Sequence, residues 1–217
     1  MDYAAARFNM VESQLRTNKV TNTALLDAFE AVPRERFLGE TQRAVAYVDE
    51  DLAVGPERYL MEPMVLARLL QAAAVEPGDM VLEVGTGTGY GAAILARLAG
   101  TVVALEDDAT LAAQAGAAFE ALGIDNVVLV SGALSEGYPK QAPYNVIVLD
   151  GAVAAVPDGI CDQLAEGGRL VTVVRQDGGP GRAVLMQRSG GHVSSRVLFD
   201  AATPYLPGFK PDAGFVF

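Results

Sequence analysis

Apolar positions along the 217-residue chain change their period near residue 77. Before it, they recur at spacings of three and four, as in Phe8, Val11 and Leu15, which is typical of amphipathic helices. Thr21 is expected to cap a second helix, and Pro33 is expected to end it. The pattern therefore predicts a helical N-terminal extension.

After residue 77, short apolar runs alternate with helical segments and then give way to a hairpin. The predicted strands are Met80–Val84, Thr101–Leu105, Asn126–Val130, Tyr144–Leu149, Arg169–Val174, Ala183–Arg188 and Ser195–Phe199. The predicted helices begin at Pro63 and then cover Tyr90–Leu98, Asp108–Leu122 and Pro157–Leu164. This alternation predicts an α/β fold, a mostly parallel seven-stranded sheet with helices on both faces.

Two segments are expected to be loops. Asp49–Pro63 combines prolines, a glycine and charged residues, and Gln176–Gly181 is rich in glycine. We expect one domain over residues 1–217, in which the extension and the first loop cover 1–63 and the α/β core covers 64–217.

Composition narrows the choice of partners. Hydrophobic residues make up 51% of the chain and the net charge is −11, so a globular protein is expected and a nucleic-acid partner is not. One cysteine and one histidine exclude an internal disulfide and make a metal site improbable. We find no secretory signal or membrane-spanning run, and the single cysteine fits a reducing compartment. We therefore expect a cytoplasmic protein that acts on a protein, a peptide or a small molecule.

The segment with the clearest chemistry is Glu83–Tyr90, with the sequence Glu-Val-Gly-Thr-Gly-Thr-Gly-Tyr. It follows a predicted strand and opens a predicted helix, the context of a nucleotide-binding turn. Its glycines are spaced Gly-x-Gly-x-Gly, whereas a dinucleotide fingerprint reads Gly-x-Gly-x-x-Gly. Glu83 would repel a pyrophosphate but can pair with the cationic amino group of S-adenosylmethionine. The segment therefore favours that cofactor, with a plain glycine-rich turn as the alternative.

Glu106 is the second cofactor candidate. It lies at the end of the second predicted core strand, 21 residues after Gly85 (106 − 85 = 21). An acidic residue about 20 positions after the glycine turn meets the ribose hydroxyls of a bound nucleotide. Because a carboxylate accepts several hydrogen bonds, Glu106 is predicted to bind the ribose diol; the alternative is an exposed charge at a strand end.

These residues resemble the class I S-adenosylmethionine-dependent methyltransferases, and most closely the protein-L-isoaspartate O-methyltransferase family. The matching segments are Met10–Leu15, Val32–Phe37, Val81–Tyr90 and Leu164–Val171. The resemblance implies a Rossmann-like fold and methyl transfer to a carboxylate of a protein or peptide, with S-adenosylhomocysteine as the product. It also implies a set of cofactor-binding positions: Glu83, Gly85, Thr86, Gly87, Thr88, Tyr90, Glu106, Asp107, Gly132, Ala133 and Asp150.

The substrate loop departs from the family pattern. The family reads Gly-x-Gly-Gln-Thr-Ile-Ser-Gln-Pro, and Gly55–Pro63 of this chain is aligned with it. The family's serine is replaced by Met61, so no catalytic residue is assigned, and the loop candidates are Arg58, Tyr59, Met61 and Glu62. Arg58 can bind an acceptor carboxylate if it points inward.

The adenine side departs as well. Ala133 replaces the family's aspartate, which leaves a backbone contact as the remaining option there. Asp150 is an alternative acidic group at the sheet edge, or a turn residue before Gly151. Three hypotheses follow: a carboxylate methyltransferase, a methyltransferase with another acceptor, and a non-catalytic cofactor-binding protein.

Overall fold

The computed structural model describes residues 1–176 and 179–211. Its strands are β1 Leu52–Gly55, β2 Arg58–Leu60, β3 Met80–Val84, β4 Thr101–Glu106, β5 Val127–Ser131, β6 Tyr144–Val153, β7 Leu164–Val174, β8 Gly181–Ser189 and β9 His192–Ala201. Its α-helices are α1 Tyr3–Met10, α2 Thr23–Ala31, α3 Pro63–Ala73, α4 Tyr90–Ala96, α5 Ala109–Leu122 and α6 Asp158–Cys161. Val11–Leu15 continues α1 as a π-helix.

The seven-stranded sheet has the order β5-β4-β3-β6-β7-β8-β9. The strands from β5 to β7 are parallel, and β8 pairs antiparallel with both β7 and β9. The prediction of a mostly parallel seven-stranded sheet is therefore confirmed. The predicted hairpin at the end of the chain is confirmed as β8 and β9.

Side chains on adjacent strand positions enter different cores, because successive residues of a strand point to opposite faces. On β3, Val81 packs on the face that carries the N-terminal extension, α3 and α4. Leu82 and Val84 pack on the opposite face, against α6 and the tail residues Leu206 and Phe209. The extension thus shares one core with the sheet, and the assignment of residues 1–217 to one domain stays a prediction.

The N-terminal helices differ from the pattern in the cap of α2 and in the first buried position of α1. Asn22, not Thr21, caps α2 by accepting a hydrogen bond from the Leu25 amide (3.0 Å). Phe8 is half exposed, and Met10 is buried with Val11 and Leu15. The π-helical turn explains the second difference, since its wider winding shifts which positions face the core.

The segment Asp49–Pro63 is not an irregular loop as expected but contains an antiparallel hairpin. β1 and β2 pair Leu52 with Leu60, and a two-residue turn joins them. Leu60 is buried while Tyr59 on the same strand is exposed, the alternation of a strand that covers a core on one side. Charges and prolines in the segment mask this short alternation in the sequence.

Two other boundaries are corrected. β6 continues past Leu149 to Val153 because, after a bulge, Ala152 and Val153 pair with Val173 and Val174 of β7; the Ala152 amide also donates to the Pro204 carbonyl of the tail (2.8 Å). The predicted helix to Leu164 is the single turn α6, and Leu164 already belongs to β7. The predicted loop Gln176–Gly181 includes Asp177 and Gly178, which lie outside the described residues, as do residues 212–217 of the predicted core.

Candidate cofactor and acceptor site

The order of the strands reverses direction at β3. The chain proceeds from β3 to β4 and β5 on one side, and from β6 to β7 on the other. In open α/β sheets, ligands bind in the crevice at the carboxyl ends of the strands beside such a switch point. Glu83 on β3 and Asp150 on β6 lie at this edge, and the glycine loop Gly85–Gly89 leaves it.

The glycine loop has a backbone that other residues adopt poorly. Gly85, Gly87 and Gly89 have φ angles of +81°, +58° and +96°, in the left-handed region. The amides of Gly85 and Thr86 both donate to the Leu105 carbonyl (2.9 and 3.2 Å), which anchors the loop to β4. The loop is therefore a preformed cradle whose glycines bring its backbone close to whatever lies over it.

Glu83 is completely buried beneath this loop. Its Oε2 accepts a hydrogen bond from the Thr86 hydroxyl, while its Oε1 has no partner among the described residues. Burial raises the pKa of Glu83 well above the usual range, and the neighbouring Asp150 raises it further. A nearby cation would stabilise the charged form of a buried carboxyl group that has one unpartnered oxygen.

Asp150 lies inside β6 rather than in a turn, and it is buried. Burial raises its pKa to about 7, although Arg58 and Arg34 both act to lower it. Its Oδ1 has no partner among the described residues. The turn interpretation is therefore wrong, and its proximity to Glu83 makes Asp150 part of the same buried acidic pair.

Glu106 ends β4 and is fully buried. Its Oε1 accepts hydrogen bonds from the amides of Asp107 (3.0 Å) and Asp108 (3.1 Å). Its Oε2 accepts from the Gly87 amide (2.7 Å) and from Arg58. Burial raises the pKa of Glu106, and Arg58 opposes that shift. The carboxylate thus joins the glycine loop to the hairpin of β1 and β2 (residues 52–60), which we call the substrate hairpin because it overlaps the predicted substrate loop.

The loop candidates divide by their position on the hairpin. Arg58 points inward and is 3% exposed, whereas Tyr59 points outward and is 40% exposed. Met61 is buried, and its carbonyl accepts a hydrogen bond from Arg34 (2.9 Å). Burial raises the pKa of Glu62 to about 7, and the negative charge of Asp51 adds to this.

A cavity of about 10 Å³ lies between the hairpin, β6 and the tail. Tyr59, Met61, Asp150 and Thr203 line it, and Leu206 closes it. Such a volume holds one water molecule at most. An acceptor side chain can enter here only if the hairpin or the tail moves.

The remaining cofactor candidates occupy different environments. Tyr90 is fully buried, with its ring edge-on to Phe29 and Phe37 and with the Arg34 guanidinium 4.9 Å from the ring centroid. Thr88 is buried and lines a separate cavity, of about 350 Å³, beside α5. The others are exposed at the carboxyl edge: Asp107, Gly132 and Ala133. Their roles toward the cofactor stay predictions.

Sequence reasoning missed Arg34 and Thr203. Arg34 is completely buried and donates to the carbonyls of Ala46 and Met61, so it fastens the substrate hairpin to the extension. Thr203 is 3% exposed, and its hydroxyl has no partner among the described residues. Arg34 lies within the family-like segment Val32–Phe37, which was an available signal; Thr203 lies in a tail with no motif.

The residues present fit S-adenosylmethionine. The cradle of glycines, the free oxygen of Glu83 and the carboxylate of Glu106 supply a close backbone approach, a partner for an amino group and a partner for a ribose. Arg58 and Leu206 both lie against Gly85, so these side chains must shift when a ligand enters.

The profile of the protein-L-isoaspartate(D-aspartate) O-methyltransferase family matches residues 6–207. The protein-L-isoaspartate O-methyltransferase of Koribacter versatilis is 41% identical over 172 residues, which is 79% of this chain and 78% of that protein. The enzyme of the same name from Methylorubrum extorquens is 40% identical over 195 residues, 90% of this chain and 85% of that protein.

Solved structures agree in fold. A protein-L-isoaspartate O-methyltransferase superposes with a TM-score of 0.82 and 27% identity, covering 93% of this chain and 66% of that chain. A Plasmodium falciparum structure described by the same name, in complex with S-adenosyl-L-homocysteine, gives a TM-score of 0.78 at 18% identity, covering 91% and 96%. Together with the matched residues, these likenesses show that the chain belongs to the protein-L-isoaspartate O-methyltransferase family of S-adenosylmethionine-dependent methyltransferases.

Proposed function

We propose that this protein transfers the methyl group of S-adenosylmethionine to the side-chain or main-chain carboxylate of an isoaspartyl residue in a protein or peptide. Membership of the family supports the reaction class. The observation that carries the assignment to this site is the convergence of Glu83, the glycine loop and Glu106 at the switch point of the sheet.

The chemistry supplied by the cofactor is an electrophilic methyl group on a sulfonium. The carboxylate oxygen forms a bond to that carbon as its bond to sulfur breaks, and the electron pair stays on sulfur. The acceptor is already ionised at neutral pH, so the chain needs no strong general base. Its residues act by holding the acceptor oxygen in line with the methyl group, and orientation of two reactants lowers the barrier of a bimolecular step substantially.

The chain's own groups divide this work. Glu83 offers its free oxygen to the amino group of the cofactor, and Glu106 offers a carboxylate to the ribose. At the acceptor side, the unpartnered Thr203 hydroxyl lies in the cavity with Met61 and can donate the hydrogen bond that the family's serine would give. Leu206 covers Gly85 and Gly151 and excludes water from the reacting atoms.

The test is methyl transfer to a synthetic isoaspartyl peptide, with the same peptide containing ordinary aspartate as the comparison. We expect S-adenosylhomocysteine to form in proportion to the isoaspartyl peptide and a methyl ester to appear on it by mass spectrometry. Cofactor turnover that requires neither peptide, or no turnover at any peptide concentration, would contradict the proposal.

A different carboxylate acceptor is favoured by one observation, the buried thioether at Met61, which donates no hydrogen bond. Met61→Ser separates the two functions. If isoaspartyl peptides are the natural acceptor and Thr203 supplies the hydroxyl, the variant changes activity little. If the acceptor differs, the variant gains activity on the isoaspartyl peptide. Met186→Ser, a similar change on β8 away from the site, is the matched control.

The place of action and the range of partners stay predictions. Within the part of the chain that the structure describes, no helix is long and apolar enough to cross a membrane. The expected cytoplasmic location, the absence of a nucleic-acid partner and the oligomeric state are open to fractionation and light-scattering measurements.

A further inference from the structure

Arg58 of the substrate hairpin reaches across to the cofactor side of the site. Its guanidinium pairs with Glu106 and lies 3.8 Å from the Asp107 carboxylate. A methyl group added at Gly85 would lie 3.5 Å from Arg58 Nη2, so the guanidinium is directly over the glycine loop. The side chains of Arg58 and Glu106 are 4% and 0% exposed, which makes this an ion pair of the interior.

The pair uses the last accepting capacity of Glu106. A carboxylate has about four lone-pair sites. The amides of Gly87, Asp107 and Asp108 take three of them, and Arg58 takes the fourth. The amides belong to the glycine loop and to the start of α5, where the Asp108 side chain caps the helix (2.7 Å to the Thr110 amide). Arg58 is therefore the partner that can leave.

We propose that Arg58 and the cofactor ribose compete for Glu106, and that the displaced guanidinium then binds the acceptor carboxylate. This rests on the proposed function and adds a residue that sets both the order of binding and the specificity for an anion. Toward the cofactor Arg58 acts through Glu106, as a positioning residue, whereas toward the acceptor it binds the carboxylate directly.

The surroundings of the site explain why a released arginine is needed there. Asp51, Glu57 and Asp150 line the cavity, and Glu62 lies near Asp51. Glu57 is paired with Lys210, and each of these groups repels an incoming carboxylate when it is ionised. Arg34 is anchored through Nε and Nη2 by the carbonyls of Ala46 and Met61, and its Nη1 has no partner among the described residues. Arg58 is adjacent in sequence to Tyr59, which lines the cavity, so its guanidinium belongs to the hairpin that borders the acceptor side of the site.

The first test is direct binding of S-adenosylhomocysteine by calorimetry. An apparent dissociation constant rises as the competent fraction of the protein falls, so removing the competing arginine strengthens binding. We expect Arg58→Gln to bind on the order of tenfold more tightly than the parent, if about a tenth of the parent is open. Arg196→Gln, an exposed arginine on β9, is the matched control and keeps the parent's affinity.

The outcomes separate the two claims. Equal or weaker binding by Arg58→Gln, with binding by the parent intact, overturns the competition and leaves the proposed function standing. No binding by either protein overturns both. Thermal unfolding of each variant is measured alongside, and if Arg58→Gln does not fold, Arg58→Lys takes its place: it keeps the charge but not the bidentate fork, and is expected to fall between the two.

The second test concerns the acceptor. With saturating cofactor, we expect Arg58→Gln to raise KM for the isoaspartyl peptide by about tenfold while kcat changes less, because a charge-assisted contact to the acceptor is lost. A lowered kcat with KM unchanged would assign Arg58 to the structure of the hairpin rather than to the acceptor, and would overturn that half of the proposal.

Discussion

The glycine loop and the substrate hairpin face each other across one site but are held in different ways. The loop is fixed by its own backbone, through left-handed glycines and amides that bond to β4. The hairpin is fixed by long-range side chains, Arg34 to the Met61 carbonyl and Arg58 to Glu106. A region held by backbone is ready for a ligand, whereas one held by exchangeable side chains can respond to it.

The largest effect is expected when the Glu106 carboxylate, which both the glycine loop and the hairpin bind, loses its charge. Glu106→Gln leaves the buried Arg58 guanidinium with only the more distant Asp107 carboxylate, at 3.8 Å, and breaking a buried pair on one side costs about 3–5 kcal/mol. We expect a loss of that size in the free energy of unfolding by urea titration. Cofactor affinity should also fall about tenfold or more, as a charged hydrogen-bond acceptor is lost.

The double variant Arg58→Gln/Glu106→Gln separates the effect on stability from the effect on cofactor affinity. Because it removes the orphaned arginine as well, it should recover much of the lost stability but none of the lost affinity. Glu120→Gln, an exposed position on α5, is the control and should behave as the parent. Normal cofactor affinity in Glu106→Gln would exclude Glu106 from the ribose site.

The second largest effect is expected beneath the glycine loop. A methyl group at Gly91 would overlap Glu83 Oε1 and lie 3.3 Å from Asp150 Oδ2. Overpacking of a filled core costs about 1–3 kcal/mol, so Gly91→Ala should lower the free energy of unfolding by that amount. Gly159→Ala in α6, where a methyl group meets nothing within 4 Å, should stay within about 1 kcal/mol of the parent. Equal stability of the two variants would mean that Glu83 is free to move.

The acidic pair makes stability depend on pH, and Glu62 beside the hairpin adds to this dependence because its pKa is raised to about 7 as well. Burial raises the pKa of Asp150 to about 7, from an unfolded value of about 4. Between these values the native state holds a proton that the unfolded state has released, so stability falls as pH rises from 4 to 7. Asp150→Asn should make this slope shallower in urea titrations at pH 5, 6 and 7.

Glu83 shifts in the same direction, so some of the slope should remain in Asp150→Asn. The exposed Asp125→Asn on the loop before β5 is the matched control. An unchanged slope in Asp150→Asn would mean that Asp150 is already ionised in the native state over this pH range, stabilised there by Arg58 and Arg34.

The sequence predicts the glycine loop better than the hairpin, because the loop is held by local contacts and the hairpin by long-range ones. The glycine loop is contiguous, and its spacing alone predicts the turn, Glu83 and the distance to Glu106. The hairpin depends on contacts between distant positions, since Arg58 meets Glu106 48 residues away. The end of β6 likewise depends on the pairing of Ala152 and Val153 with Val173 and Val174 of β7. Nothing local in Asp49–Pro63 or Tyr144–Leu149 encodes those partners.

The inward direction of Arg58 shows the limit of the same reasoning. A one-residue slip of a charge-rich segment is invisible in composition, but the pairing of β1 with β2 decides which side chain faces the core. The buried position of Met61 and the unpartnered hydroxyl of Thr203 also follow from that packing, so the family motif alone could not indicate them.

The smallest effect is expected at the surface of the hairpin, where Glu57 in the turn pairs with Lys210 of the tail. Both side chains are more than half exposed, and such pairs contribute less than about 1 kcal/mol. We expect Glu57→Gln, Lys210→Gln and the double variant to change the free energy of unfolding by no more than this and to leave cofactor affinity within about twofold. Glu57→Gln could instead tighten cofactor binding as much as Arg58→Gln does. That result would mean that the surface pair holds the hairpin over the glycine loop, and that Arg58 is buried as a consequence of the hairpin's position.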